Sequence, residues 1–223
     1  GALHPAGQPS AQNYIRFEHP HPNDLWQMDF KGPFPLPRGY CHPLTVLDDH
    51  SRFSLTLAAC HYERTEVVKT HLTQAFERYG IPLRMTMDNG PPWGSDADHP
   101  TTALTLWLMR LGIRVSHSRP YHPQTQGKNE RFNRTLKEDV IAGRIFRRID
   151  DCQIAFDRWR EVYNFERPHD ALGGKVPASR YAPSPRVFPE QLPEIAYPAG
   201  ACVRKVQHSG RISYQGRELQ LSK

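Results

Sequence analysis

Asp29 closes the apolar run Leu25-Trp26-Gln27-Met28, and Asp88 closes Leu83-Arg84-Met85-Thr86-Met87. Glu130 stands among cations in Gln126-Gly127-Lys128-Asn129-Glu130-Arg131-Phe132-Asn133-Arg134-Thr135-Leu136-Lys137. A carboxylate at the end of an apolar run lies beside the core and loses part of its hydration. Several brought together repel one another and hold protons more tightly. A divalent cation removes that penalty. Carboxylate oxygens suit hard Mg2+ or Mn2+, which keep waters and take phosphate oxygens as further ligands. Two such ions about 4 Å apart would activate an attacking hydroxyl and stabilise a leaving 3′ oxygen in an in-line displacement at phosphorus. Water or a DNA 3′-OH then serves as nucleophile. No Ser-His-Asp, Cys-His or glycine-rich phosphate loop competes for the role.

On a helix of 3.6 residues per turn, Arg134 lies about 40° from Glu130 and Lys137 about 20°. One face then presents an acid followed by two bases, suited to a metal ion beside a phosphate backbone. A solvated helix with i,i+4 ion pairs carries the same pattern.

The elements that must hold these groups follow from periodicity. Residues 1–23, rich in Pro, Gly, His and Asn, read as an arm or linker. Leu25–Phe30, Leu44–Asp48 and Arg52–Ala59 are predicted strands, the last two joined at Asp49-His50-Ser51. Val67, Val68, Leu72, Ala75, Phe76 and Tyr79 have helical spacing ahead of Gly80. A strand ending at Asp88, a loop from Asn89 to Asp96, a helix Leu104–Leu111 and a strand Ile113–Ser116 follow. Then come a helix from about Thr125 towards Ile141 and another from about Ile149 to Tyr163. The order β-β-β-α-β-α-β-α-α predicts an α/β fold, a mixed five-stranded sheet flanked by helices. Its core spans 24–166, with a proline-rich linker over 167–198 and a small basic all-β module over 199–223. In that module Ala201–Val206 and Arg211–Leu221 alternate about a turn at His208-Ser209-Gly210.

The 223 residues suffice for a full α/β core plus a small module, and 29 Lys and Arg against 23 acids give a net charge of +6. That excess favours a polyanionic partner. Cys41, Cys60, Cys152 and Cys202 are scattered without a Cys-x-x-Cys pair, which reads as buried reduced thiols rather than a disulfide framework or zinc site. No run approaches ~18 apolar residues and no signal peptide is visible, so a soluble intracellular chain without a membrane partner is expected. It begins at Gly1 rather than Met and reads as part of something longer.

Several motifs together resemble the catalytic region of insertion-sequence DDE transposases, of the retroviral-integrase-like superfamily. They are Trp26-Gln27-Met28-Asp29, Leu47-Asp48-Asp49-His50-Ser51-Arg52-Phe53, Asp88-Asn89-Gly90, Tyr121 through Asn133, and Tyr163-Asn164 with Arg167-Pro168-His169 and Ala171-Leu172-Gly173. The resemblance covers roughly residues 24–181. It implies an RNase H-like fold in which Asp29, Asp88 and Glu130 are the catalytic, metal-holding triad. It also implies two Mg2+ (or Mn2+) ions per site, nicking at transposon 3′ ends, and strand transfer into target DNA. Double-stranded DNA, as transposon ends and target, would be the partner, and a homo-oligomer would form the synaptic complex. The chain would reside in the bacterial cytoplasm, nucleoid-associated when on DNA, and a helix-turn-helix module would lie upstream. Arg134 and Lys137 would contact element ends, Lys128 and Arg131 the phosphates, and Asn89-Gly90 would shape the edge of the site. The β module, through Arg204, Lys205, Arg211 and Arg217, resembles the small DNA-binding barrels that follow such cores; those charges would equally solubilise a small sheet.

One departure is visible. The 41 residues between Asp88 and Glu130 exceed the family's common spacing of about 35, a surplus an enlarged loop absorbs at little entropic cost. That loop, Pro91 to Thr102, contains Trp93, Asp96, Asp98 and His99, and would touch DNA through Trp93 or simply act as a lid. Other acids read as structural: Asp48-Asp49 at a hairpin turn, Glu138-Asp139 on a solvated face, Asp150-Asp151 as a helix N-cap. His117 and His122 flank the active-site helix and are expected to be structural, and Trp26, Trp107 and Trp159 to be core. Two rival functions remain: a metal-dependent nuclease of the same fold acting on RNA–DNA hybrids, and a catalytically silent, transposase-derived DNA-binding protein.

Overall fold

In β1 (Trp26–Phe30) Trp26 and Met28 are fully buried on one side of the sheet, while Gln27 and Asp29 face the other. That alternation is the period of a strand covered on both faces. A computed structural model of the chain describes residues 18–94, 102–117, 127–194, 196–197, 199–207 and 209–220. β1 is flanked by β3 (Tyr40–Asp48), antiparallel, and β5 (Arg84–Met87), parallel. β4 (Ser54–Cys60) lies antiparallel outside β3, and β6 (Arg114–His117) lies parallel outside β5. The short β2 (Phe34–Pro35) pairs with Tyr40 and Cys41 and so prolongs β1 along β3. The sheet thus has the five expected strands plus this two-residue extension.

Between β1 and β2 the register slips. Phe30 faces Leu44 and Phe34 faces Cys41, so Lys31, Gly32 and Pro33 oppose only His42 and Pro43. This is a bulge, and Gly32 supplies its positive φ of 92°.

One face of the sheet is covered by α1 (Thr65–Tyr79) and α2 (Ala103–Arg110), whose Val68, Leu72, Phe76, Leu104 and Leu108 join Trp26, Met28, Met85 and Met87 in the larger core. α1 stops at Gly80, whose φ is 73° and where a Cβ would stand 2.5 Å from the Ser184 carbonyl oxygen. The other face carries α3 (Gly127–Leu136), which passes into a π-helical turn over Lys137–Ile141, and α4 (Ile149–Phe165). Phe132, Leu136, Val140, Cys152, Phe156 and Tyr163 pack there on Cys41, Leu47 and Leu57.

The compact unit runs to Gln191 and so takes in most of the segment expected to be a linker from 167. Tyr181 stacks on Phe53 at 4.4 Å, Phe188 packs on Phe76, and the Arg186 guanidinium donates to the carbonyls of Pro82, Leu111 and Gly112. The prolines here shape an extended strap, not a free tether. At the other end the packing begins ahead of residue 24. Asn23 is buried, accepts from Trp26 Nε1 and Tyr181 Oη, and donates its backbone N–H to Asp48.

The second unit, Leu192–Lys223, contains the hairpin β7 (Arg211–Tyr214) and β8 (Arg217–Gln220). The all-β expectation holds, but the strands differ from those read in the sequence. Ala201–Val206 forms none, and the stretch expected as one strand folds on itself instead. Gln215 and Gly216 both have positive φ, 50° and 72°, which makes the two-residue turn whose twist matches a hairpin.

Candidate active site

Asp29 and Asp88 end up side by side. Trp26 pairs with Met85 and Gln27 with Thr86, so running the two parallel strands forward brings Asp29 level with Asp88 at their carboxyl ends. Burial and, next, the Asp88 carboxylate push the Asp29 carboxyl up to about 7. Asn133 opposes this by donating from Nδ2 to Asp29 Oδ2 at 2.9 Å. The Glu63 carboxylate, itself held by His42 at 2.8 Å, adds to the repulsion. Asp88 is steadied from β6: the Nδ1 of His117 lies 3.0 Å from its carbonyl oxygen, and Thr86 and Ser116 share a hydrogen bond of 2.7 Å just behind. That is the structural role expected of His117; His122 lies outside the described residues.

α3 is pinned across β1 by Phe132 and Leu136, each buried side chain contributing roughly 1.5–3 kcal/mol. Its inner edge carries Asn129, close to Thr45 Oγ1, and Asn133 on Asp29. Glu130 and Lys137 follow from the same helix at about 60° and 40° from Asn133, and both are exposed. Among the described residues no three His, Cys, Asp or Glu side chains are grouped closely enough to hold a metal ion. The Tyr121–Gln126 part of its motif lies outside the described residues.

The expected phosphate contacts divide. Arg131, Arg134 and Lys137 are exposed on α3 and the turn that follows it. Lys128 is not: its ammonium sits 2.5 Å from Asp49 Oδ1, with 14% of the side chain exposed, and it also donates to the Asp49 carbonyl. In the second unit, taken by itself, Arg204, Lys205 and Arg217 are exposed, and Arg204 covers the Tyr214 ring at 5.5 Å. Arg211 is tied to Glu218 and Gln220.

Trp93 is 3% exposed and stacks on Phe30 at 5.4 Å, so it belongs to the core and offers no platform to DNA. Residues 95–101 of that loop lie outside the described residues. Asn89 is exposed beside Gly90, whose φ is 89°. Asp48 and Asp49 are structural as expected, binding the turn at Ser51 and the ends of the chain around His19, Asn23 and Gln27. Asp139 is less solvated than expected, since it accepts from Trp159 and Arg167. The N-cap of α4 is Arg148, with Asp151 closing the box three residues on. Sequence reasoning gave no role to Asn133, which donates to Asp29, or to Lys31, two residues after Asp29.

Two family models, each described as an integrase core domain, match residues 19–123 and 111–177, together more than half of the chain. The chain belongs to the integrase core family. A protein of insertion element IS476 from Xanthomonas euvesicatoria is 29% identical over 161 residues, 72% of this chain and 44% of that protein. The chain therefore spans less than half the length of that relative. The integrase core fold is seen again in solved structures. A chain of the simian T-cell lymphotropic virus intasome, complexed with a PP2A regulatory subunit, superposes with a TM-score of 0.56 at 19% identity, covering 84% of this chain and 63% of that one. The HTLV-2 integrase catalytic core, solved with magnesium, gives 0.51 at 17%, covering 72% and 97%.

Proposed function

We propose that this chain is the catalytic region of an insertion-sequence transposase, which nicks the 3′ ends of its element and joins them to target DNA. The observation that carries this reading is the Asp29–Asp88 pair at the carboxyl ends of neighbouring parallel strands, left partly desolvated and mutually repelling in an integrase core fold. Such a donor set fits hard divalent cations. Asp29 and Asp88, with Glu130 as the further carboxylate on α3, would hold two Mg2+ or Mn2+ ions. When bound, these would supply a deprotonated attacking oxygen and charge neutralisation at the leaving 3′ oxygen. The magnesium in the HTLV-2 core supports use of a divalent metal in this fold.

The protein's own groups set the stage. Asn133 keeps Asp29 oriented and favours its charged form. His117 and Ser116 hold the end of β5, so that Asp88 keeps its place beside β1. Arg131, Arg134 and Lys137 line the exposed side of the helix for phosphates of the element's end, and Arg204, Lys205 and Arg217 offer further contacts. The chain would act as a homo-oligomer on two DNA ends, within the bacterial cytoplasm and at the nucleoid. Among the described residues no helix is long and apolar enough to cross a membrane.

A joining assay tests this directly. Candidate end oligonucleotides, a plasmid target and Mg2+ should yield joined products that disappear on chelation. Degradation of RNA–DNA hybrids without joining would point to the nuclease; DNA binding without metal-dependent chemistry would point to a silent derivative.

A further inference from the structure

Lys31 occupies the bulge immediately after β1, and its N–H still pairs with the Pro43 carbonyl at 3.0 Å. The strand's alternation therefore carries from Asp29 to Lys31, and both side chains project on the α3 face. Bulges beside functional sites re-aim side chains in this way. From the helix side, Lys137 lies one turn beyond Asn133, whose amide touches Asp29. Strand and helix thus deliver two ammonium groups to one place next to the catalytic carboxylate. Among the described residues, neither ammonium has a carboxylate within salt-bridge distance. Two like charges brought near each other are costly even beside one carboxylate, and a further anion between them lowers the cost.

We propose that Lys31 and Lys137 together grip one backbone phosphate of the DNA strand that is cut and joined, next to the bond at Asp29. The inference rests on the transposase reading and adds to it a residue that no motif marks. Arg131 and Arg134, earlier on α3, then engage other phosphates, while this pair fixes the distance between the strand and the catalytic acids. Lys31 would touch substrate itself, and its loss should resemble that of Lys137.

The test is DNA binding by the full chain, read as fluorescence anisotropy of a labelled duplex across a salt series in Ca2+ buffer. Joining in Mg2+ is followed in parallel. Lys31→Ala and Lys31→Gln should each weaken binding about three- to tenfold and flatten the salt dependence of log K by up to ~0.9. Lys31→Arg should retain both, and thermal melts identify any variant that fails to fold. In a Lys137→Ala background, Lys31→Ala should cost at least threefold less than it does alone, because the shared phosphate is already half released. Wild-type binding and joining with no change in either Lys31 variant, or strictly additive losses in the double variant, overturns the proposal alone. A wild-type chain that neither binds nor joins DNA overturns the transposase reading, and this inference with it.

Discussion

At the Trp26 end of β1, Asp48 and Asp49 lie deeper than the Asp29–Asp88 pair at the Phe30 end. Asp48 accepts from the N–H and hydroxyl of Ser51 and from the N–H of Asn23. Asp49 accepts from His19, Gln27 and Lys128. Nearby, Glu18 is held between Arg52 and Arg180. Each of these three acids has a cation or several donors. At the other end Asp29 has the Asn133 amide and the backbone N–H of Phe30 against two neighbouring carboxylates, and among the described residues no cation pairs with it. The same strand and the same helix serve both ends, so the difference is not one of scaffold. Depth of burial does not separate structural from functional acids here. What does is whether the fold itself supplies the opposing charge: where it withholds that charge, room is left for something bound.

The largest expected contrast comes from removing one acid at each end. Asp88→Asn should abolish joining by about a thousandfold or more, with little effect on melting, as expected for loss of a group acting on the reacting atoms. Asp49→Asn should do the reverse. It strands the Lys128 ammonium in a buried site, which typically costs about 3–5 kcal/mol, while joining per folded molecule stays near wild type. If Asp88→Asn keeps strand transfer, or Asp49→Asn melts like wild type, the division between the ends is wrong.

A second contrast is in pH dependence. The Asp29 carboxyl is raised from 3.8 to about 7, so the native chain binds more protons than the unfolded chain between those values. Asp29's own contribution to the stability of the metal-free protein should therefore be most favourable below pH 4, fall as pH rises towards 7, and level off above it. A tenfold change in proton affinity between the folded and unfolded chains is worth ~1.4 kcal/mol before solvent screening, so a loss of about 2–3 kcal/mol is expected. Asp29→Asn should remove its share of the dependence, leaving that of buried Asp48, whose carboxyl burial also raises, and melt higher than wild type at pH 8. Mn2+ should stabilise the wild type and leave that variant unmoved. Equal pH profiles for the two proteins would mean that Asp29 is not frustrated at all.

This contrast also separates what was legible in the sequence from what was not. Acids ending apolar strands, helical spacing in α1 and α4, and the five-strand order are local patterns, and the sheet and the Asp29–Asp88 pairing follow from them. The surroundings of Lys128 and Trp93 were not legible because their partners are remote in the chain: Asp49 lies 79 positions before Lys128, and Phe30 lies on another strand from the loop of Trp93. A cation close to Glu130 in the chain and a tryptophan in a proline loop look available until the sheet brings up what neutralises or covers them. Asn133 and Lys31 were missed for the converse reason. An amide inside a cationic helix and a lysine before Gly32 carry no pattern of their own, and become informative only beside Asp29. In the second unit, Gln215-Gly216 was a turn signal overlooked because the flanking alternation continued through it.

The finest contrast uses two amides in matching positions. Asn133 donates to Asp29 at 2.9 Å and Gln27 donates to Asp49 at 2.8 Å, and in each the carbonyl oxygen accepts no hydrogen bond. Removing either side chain therefore deletes one hydrogen bond to a carboxylate together with one buried acceptor already unpaired, so much of the folding cost cancels. Asn133→Ala should slow joining about tenfold, ~1.4 kcal/mol, and move the acid limb of its pH–rate profile to higher pH, since the donor favouring charged Asp29 is gone. Its melting temperature should hardly change, because the lost bond supported a group whose charge opposes folding. Gln27→Ala should lower the melting temperature by the equivalent of about 1 kcal/mol and leave the pH–rate profile where it was, because Asp49 retains Lys128. Joining rates and melting curves for the two variants, taken side by side, decide the matter. If both lose stability alike and neither shifts the pH profile, Asn133 is only another packing contact and the asymmetry between the two ends of β1 is confined to the acids themselves.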